Sequence, residues 1–158
     1  MLVYNFTKGI SASINSASAS ANYDIIETNG TTASQSISNV LFTAIGTKFS
    51  TSTYNSGTFG TYLMIGSGDT AVTASDTNLS TPLDETDFTR TAATKTFSTD
   101  GKIILQTTFN WSGAETEIKE IGLMVNWNAH YALLAREVLD SPITVNNGDT
   151  FTVSMVIG

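Results

Sequence analysis

The sequence predicts an all-β protein, an antiparallel β-sandwich or jelly roll with one short helix near residues 39–46. Three observations carry this. Polarity comes from hydroxyls: 26 Thr and 18 Ser, together 44 of 158 residues, while charged side chains make up 13%, about half the usual ~25%. Thr is β-branched and suits a pleated surface, whereas helical bundles rest on the Glu, Lys, Arg and Leu that this chain uses sparingly. Apolar and polar residues alternate in short runs, and turn signals punctuate them at roughly 8–12-residue intervals, as in sandwiches. Crossover helices, which a parallel sheet needs, are missing.

The elements follow in order. Leu2–Phe6 reads as a short strand. Residues 11–22 (SASINSASASAN) are low-complexity; they read either as a solvated linker or as an arm that orders against a neighbouring subunit. Tyr23–Glu27 reads as a second short strand. Leu41, Phe42 and Ile45 recur at helical spacing, with Ser38 or Asn39 as cap and Gly46 as stop. Thr47–Gly57 is loop. Tyr62–Ile65 is an apolar strand stopped by Gly66-Ser67-Gly68-Asp69, and Asp69–Pro82 is a long connection. Residues 88–98 and 102–111 read as a hairpin across Asp100-Gly101, with Ile103, Leu105, Thr107, Phe109 and Trp111 on one face. Glu117–Trp127 places Ile121, Leu123, Val125 and Trp127 on one face. Ile118 falls out of that phase, which predicts a bulge near Lys119–Glu120. Tyr131–Leu139 is a strand, Asn147-Gly148 a turn, and Thr150–Ile157 a final strand with Phe151, Val153, Met155 and Ile157 inward. The reading divides the chain into an N-terminal arm, 1–37, and a sandwich domain, 38–158.

Composition excludes several classes. With no cysteine there are no disulfides, thiolate metal sites or cysteine nucleophiles. A net charge of −7 and pI near 4.4 argue against nucleic acid. With 41% apolar residues and a mean hydropathy of +0.04, the chain is too hydrophobic to be disordered. No segment approaches the length of a transmembrane helix, and Met1–Lys8 lacks a basic leader followed by an apolar run. The expectation is a chain made in the cytoplasm and released by lysis.

The candidate chemical residues each have a bland and a sharp reading. His130 is the single histidine, too few for an imidazole metal site; it reads as a loop or strand-end residue or, in the sharp reading, as the base of a Ser-His-Asp triad, for which no G-x-S-x-G pattern appears. Asp84-Glu85-Thr86-Asp87 reads as a solvated turn, or else as an inter-subunit calcium or ion-pair site or a catalytic carboxylate pair. Asp69 and Asp76 read as caps on backbone turns. Gly66-Ser67-Gly68 lacks the Lys-Ser/Thr ending of a phosphate loop and reads as a tight turn needing positive φ. Trp111, Trp127 and Tyr131 form either core or an aromatic platform for sugars. Arg136 and Glu120 form a buried or interface pair or, by default, a surface pair. No catalytic residue, metal or cofactor is expected.

Three stretches together resemble a pattern in virion structural proteins of tailed bacteriophages. One is Asn39-Val40-Leu41-Phe42-Thr43-Ala44-Ile45-Gly46. The second is Ile65-Gly66-Ser67-Gly68-Asp69-Thr70 with Ser75-Asp76-Thr77-Asn78-Leu79, similar to an Ile/Val-Gly-Thr-Gly turn, a Thr/Pro-rich loop and Asp-Thr-x-Leu. Ala71 and Ala74 stand where that pattern has prolines. The third is Glu117-Ile118-Lys119-Glu120-Ile121-Gly122-Leu123-Met124, then Leu133-Leu134-Ala135-Arg136-Glu137-Val138, Pro142-Ile143 and Gly148-Asp149-Thr150. The resemblance covers about residues 38–157. It implies a β-sandwich component of a tail, fibre, collar or capsid accessory, with no shared catalytic residues.

The leading expectation is therefore a non-enzymatic subunit of a phage or virus-like particle. It would be a homo-oligomer, with a trimer favoured, in contact with a major capsid or tail protein and assembling through its N-terminal arm. The other expectation is a carbohydrate-binding or adhesion module using Trp111, Trp127 and Tyr131.

Overall fold

The computed structural model describes residues 22–36, 60–91, 93–97, 99, 102–127 and 130–157. These residues form strands β1 (Asn22–Ile26), β2 (Thr32–Ser36), β3 (Gly60–Gly66), β4 (Phe88–Arg90), β5 (Thr94–Phe97), β6 (Ile103–Trp111), β7 (Thr116–Trp127), β8 (His130–Val145) and β9 (Thr150–Ile157). No helix occurs among the described residues; the helix predicted near 39–46 and the strand predicted at Leu2–Phe6 lie outside them.

Two antiparallel sheets make a sandwich-like fold. One has the order β3-β7-β8; in the other, β4 and β5 both pair with one edge of β6, and β9 pairs with the opposite edge. A single core cluster draws on both, with Leu63 and Ile65 from β3, Leu123 and Val125 from β7, and Leu105, Phe109 and Trp111 from β6.

The alternation predicted for β6 and β9 is observed. Leu105, Thr107, Phe109, Trp111, Val153 and Met155 are buried, and the residues between them are wholly or partly exposed. Phe109 stacks on Phe151 at 5.4 Å and meets Phe88 edge-on at 5.4 Å. On the opposite face the hydroxyls bond across the strands. Gln106 Nε2 donates to Ser154 Oγ at 2.9 Å, the Thr108 and Thr152 hydroxyls lie 2.9 Å apart, and Thr150 Oγ1 donates to Asn110 Oδ1 at 2.8 Å. The abundance of Thr thus serves this sheet as cross-strand pairs.

In β7, by contrast, Glu120 through Asn126 are all buried, so both faces of this central strand are covered. The predicted bulge is present. Pairing shifts between Ile118, opposite Ile143, and Glu120, opposite Val138. Residues 139–142 of β8 therefore face only Lys119, and Pro142 sits in this irregular stretch, where no ladder N–H is required. β8 itself runs from His130 to Val145, longer than Tyr131–Leu139. The predicted 88–98 strand is broken: β4 and β5 pair separately with β6.

β1 finds its partner within its own chain, in β2. Gly30 (φ 82) turns the connection, and Gly30 N–H donates to Glu27 O at 2.9 Å. The turn is fastened to the main body by Thr28 N–H donating to Tyr131 O at 3.0 Å and Asn78 Nδ2 donating to Thr28 O at 3.1 Å. The predicted Asn147-Gly148 turn is observed, with Gly148 at φ 93 and its N–H donating to Trp111 O at 2.9 Å.

Candidate functional site

Among the described residues the largest convergence of charged groups is inside the fold. Glu120 and Arg136 are 0% and 1% exposed, so the default surface pairing of these two is overturned in favour of a buried pair. The bulge changes the phase of β7 ahead of Glu120, and Arg136 reaches it from β8, where Gly122 and Arg136 are in register. Arg136 Nε donates to Glu120 Oε2 at 2.6 Å, Nη1 to Asp76 Oδ2 at 2.8 Å, and Nη2 to Thr70 O at 3.0 Å. The Glu120 carboxylate also accepts the backbone N–H groups of Gly68 (3.2 Å), Ser80 (3.0 Å) and Thr81 (2.7 Å). Every oxygen and nitrogen of the pair is therefore engaged in holding the long connection between β3 and β4 against the sheet. An unpaired buried charge would cost several kcal/mol; one cation between two carboxylates, with backbone donors on the remaining lone pairs, avoids it.

The two glycines of this loop serve proximity, not positive φ as the sequence suggested. The glycines with positive φ among the described residues are Gly30 and Gly148. Gly66 lies opposite Glu120 in the ladder. A Cβ there would come within 2.5 Å of Glu120 Oε1 and 2.7 Å of Thr81 O. At Gly68 a Cβ would collide with the Ser80 hydroxyl and come within 2.7 Å of Glu120 Oε1. Gly66→Ala is therefore expected to lower stability by about 1–3 kcal/mol, the usual cost of overpacking. Chemical denaturation checks this, and an unchanged midpoint would show that the carboxylate can move away. Gly122 gives the same relief to Leu79, whose Cδ2 would be 2.7 Å from a Cβ there.

Asp76 acts as the predicted turn cap, accepting from Thr73 N at 3.1 Å and Thr73 Oγ1 at 2.6 Å, and it also pairs with Arg136. Burial pushes its carboxyl up, but the hydrogen bonds from Thr73 and Arg136 outweigh this and hold it below the ordinary 3.8. For Arg136, burial disfavours the charge, and the bonds to Asp76 and Glu120 more than restore it. Glu27 is likewise held below its ordinary 4.5, by Thr31 first and then by His130. A depressed carboxyl contributes stability at neutral pH that is lost as pH falls through its folded-state pKa. Thermal stability is expected to decline as pH drops below about 4.5 and to keep falling below 3.8. The decline should be shallower in Asp76→Asn; parallel curves for the two proteins would remove Asp76 from this account.

The remaining candidates are dispersed. His130 stands at the start of β8, its Nδ1 in contact with Glu27 Oε1. Asp84 Oδ1 accepts the N–H and hydroxyl of Thr86, both at 2.9 Å, and Glu85 pairs with Arg90 at 3.1 Å, so this acidic run is a turn. Asp69 is exposed. Among the described residues no three of His, Cys, Asp and Glu lie together as a metal site would require, and no helix is long and apolar enough to cross a membrane. Trp111 is buried, stacks on Phe88 at 6.1 Å and donates its Nε1–H to Ala114 O at 2.9 Å. Its face and its polar handle are thus both engaged inside the protein. Tyr131 is half-buried; the side chain of Trp127 lies outside what the structure describes.

Sequence reasoning missed the backbone partners of Glu120 and the docking role of Glu27 and Thr28. The dipeptide Asn29-Gly30, a hairpin signal, marks the second of these. Searches of protein-family models, curated proteins and solved structures find no match to this chain.

Proposed function

We propose that the chain is a non-enzymatic structural subunit of a phage or virus-like particle, on the capsid surface or in the tail or fibre apparatus. One observation carries the reading. The scattered residues that resemble the virion pattern, Gly66, Gly68, Asp76, Leu79, Glu120, Gly122 and Arg136, meet in one internal clamp. The pattern therefore includes a way of fixing a long loop on a sheet, and its Asp76, Glu120 and Arg136 are consumed by that task. A hydroxyl surface with few charges and a tightly bonded loop suits a subunit that must keep its shape outside the cell. Residues 1–37, which the resemblance does not cover, are where specialised attachment would lie.

The test is recovery in particles. Particles released by lysis and purified through a density gradient should contain the chain at a fixed copy number by mass spectrometry, and antibodies to it should label them in electron micrographs. Particles without the chain, with all of it in the soluble fraction, overturn the proposal.

A further inference from the structure

The edges of the two sheets are not equally protected. Exposed edges usually carry charge, proline or a bulge that prevents pairing with another chain. β8 has its irregular stretch and Pro142. β9 has none of these. Its eight residues, TFTVSMVI, include no ionisable side chain and no proline. It pairs with β6 in unbroken register from Thr150 to Ile157, and among the described residues it pairs with β6 alone. β6 carries no ionisable side chain either. At one end of the pair Val156, 55% exposed, stands opposite Ile104 and puts an apolar patch beside the hydroxyl rungs.

We infer that β9 is where a second copy of this chain joins, edge to edge and antiparallel about a two-fold axis. Charge identifies the occupant. Each copy carries −7, so two copies repel wherever carboxylates face each other. The β6–β9 side lets them meet without burying a charge. An antiparallel pair of identical strands is self-complementary, as an isologous interface requires, and its main-chain bonds continue the sheet. The hydroxyls along this face are already bonded to one another across β6 and β9. Edge pairing continues this face and leaves those rungs intact. Val156 supplies the apolar contact. The inference deepens the structural-subunit reading, rests on it, and favours an even number of copies over a trimer.

Analytical ultracentrifugation of the full chain tests it. The wild-type protein is expected to form dimers or higher even assemblies. Ser154→Lys and Val156→Lys, both on exposed positions of β9, should weaken self-association at least tenfold while circular dichroism stays native. Thr144→Lys, on an exposed stretch of β8, should leave it unchanged. Three outcomes overturn the inference: a monomeric wild-type chain, a three-fold assembly, or folded β9 variants that associate as tightly as wild type. A monomer retained by a neutral polysaccharide, and released by the same substitutions, would assign this face to a glycan instead. Recovery of the chain in particles while β9 variants still associate would sink the β9 interface and leave the subunit reading standing. A chain absent from particles would sink that reading whatever β9 does.

Discussion

Replacing Arg136 with Ala is expected to lower the free energy of unfolding by roughly 3–5 kcal/mol, the cost of breaking one side of a buried ion pair. The substitution leaves Glu120, wholly buried, facing only backbone donors, and leaves Asp76 with its turn but without its cation. In a domain whose total stability is on the order of 5–15 kcal/mol, this is enough to unfold a large fraction at physiological temperature. Urea denaturation measures it. The double replacement Glu120→Leu with Arg136→Met separates a charge effect from an architectural one. If the pair mattered only through mutual neutralisation, the apolar double variant would regain most of the loss. It is expected not to, because Gly68, Ser80 and Thr81 would then point three N–H groups at a side chain that cannot accept them. A double variant as stable as wild type would reduce the clamp to a dispensable ion pair.

Trp111→Ala is expected to cost roughly 3–5 kcal/mol, the range for emptying a large aromatic site in a packed core. The ring is 3% exposed and lies over Phe88. The backbone of Trp111 also holds the 146–149 turn, donating to Asp149 O at 2.8 Å and accepting from Gly148 at 2.9 Å. Trp111→Phe keeps an aromatic ring but loses the bond to Ala114 O and part of the buried indole volume, so it should cost about 1–3 kcal/mol, less than the alanine variant. Differential scanning calorimetry distinguishes the two. If Trp111→Ala melted like wild type while losing affinity for a glycan, the residue would belong to a binding face and the adhesion reading would replace the structural one.

The strands legible in the sequence are those whose burial alternates: β6 and β9, where one face meets the core and the other carries hydroxyls. The bulge in β7 was legible for the same reason, since Ile118 disturbs a period that is otherwise regular. Three features were obscured by their chemistry. β2 is TASQS, with no apolar period to announce it. The break between β4 and β5 falls in a Thr-rich run whose residues read alike inside and outside a strand. The upper half of β8 is largely exposed and contains a proline, both of which argue against a strand unless the bulge opposite is known. At the clamp, Glu120 and Arg136 were visible as unusual residues, but their burial depends on loop N–H groups 39 to 52 positions away in the chain. No local pattern records such a distance.

That separation bears on how the molecule comes apart. The Glu120–Arg136 contact spans 16 positions and can form with the β7–β8 hairpin, whereas the contacts to Thr70 and Asp76 span 66 and 60. Closing so long a loop is entropically expensive and is deferred until the sheet exists to reward it. Interactions that are absent from the folding transition state act on the rate of unfolding rather than on the rate of folding. The clamp is thus expected to act as a latch, with Arg136→Ala raising the unfolding rate in stopped-flow measurements far more than it lowers the folding rate. If the proposed reading as a particle subunit holds, the lifetime of the folded state would count for more than its equilibrium population, because neither chaperones nor resynthesis act outside the cell.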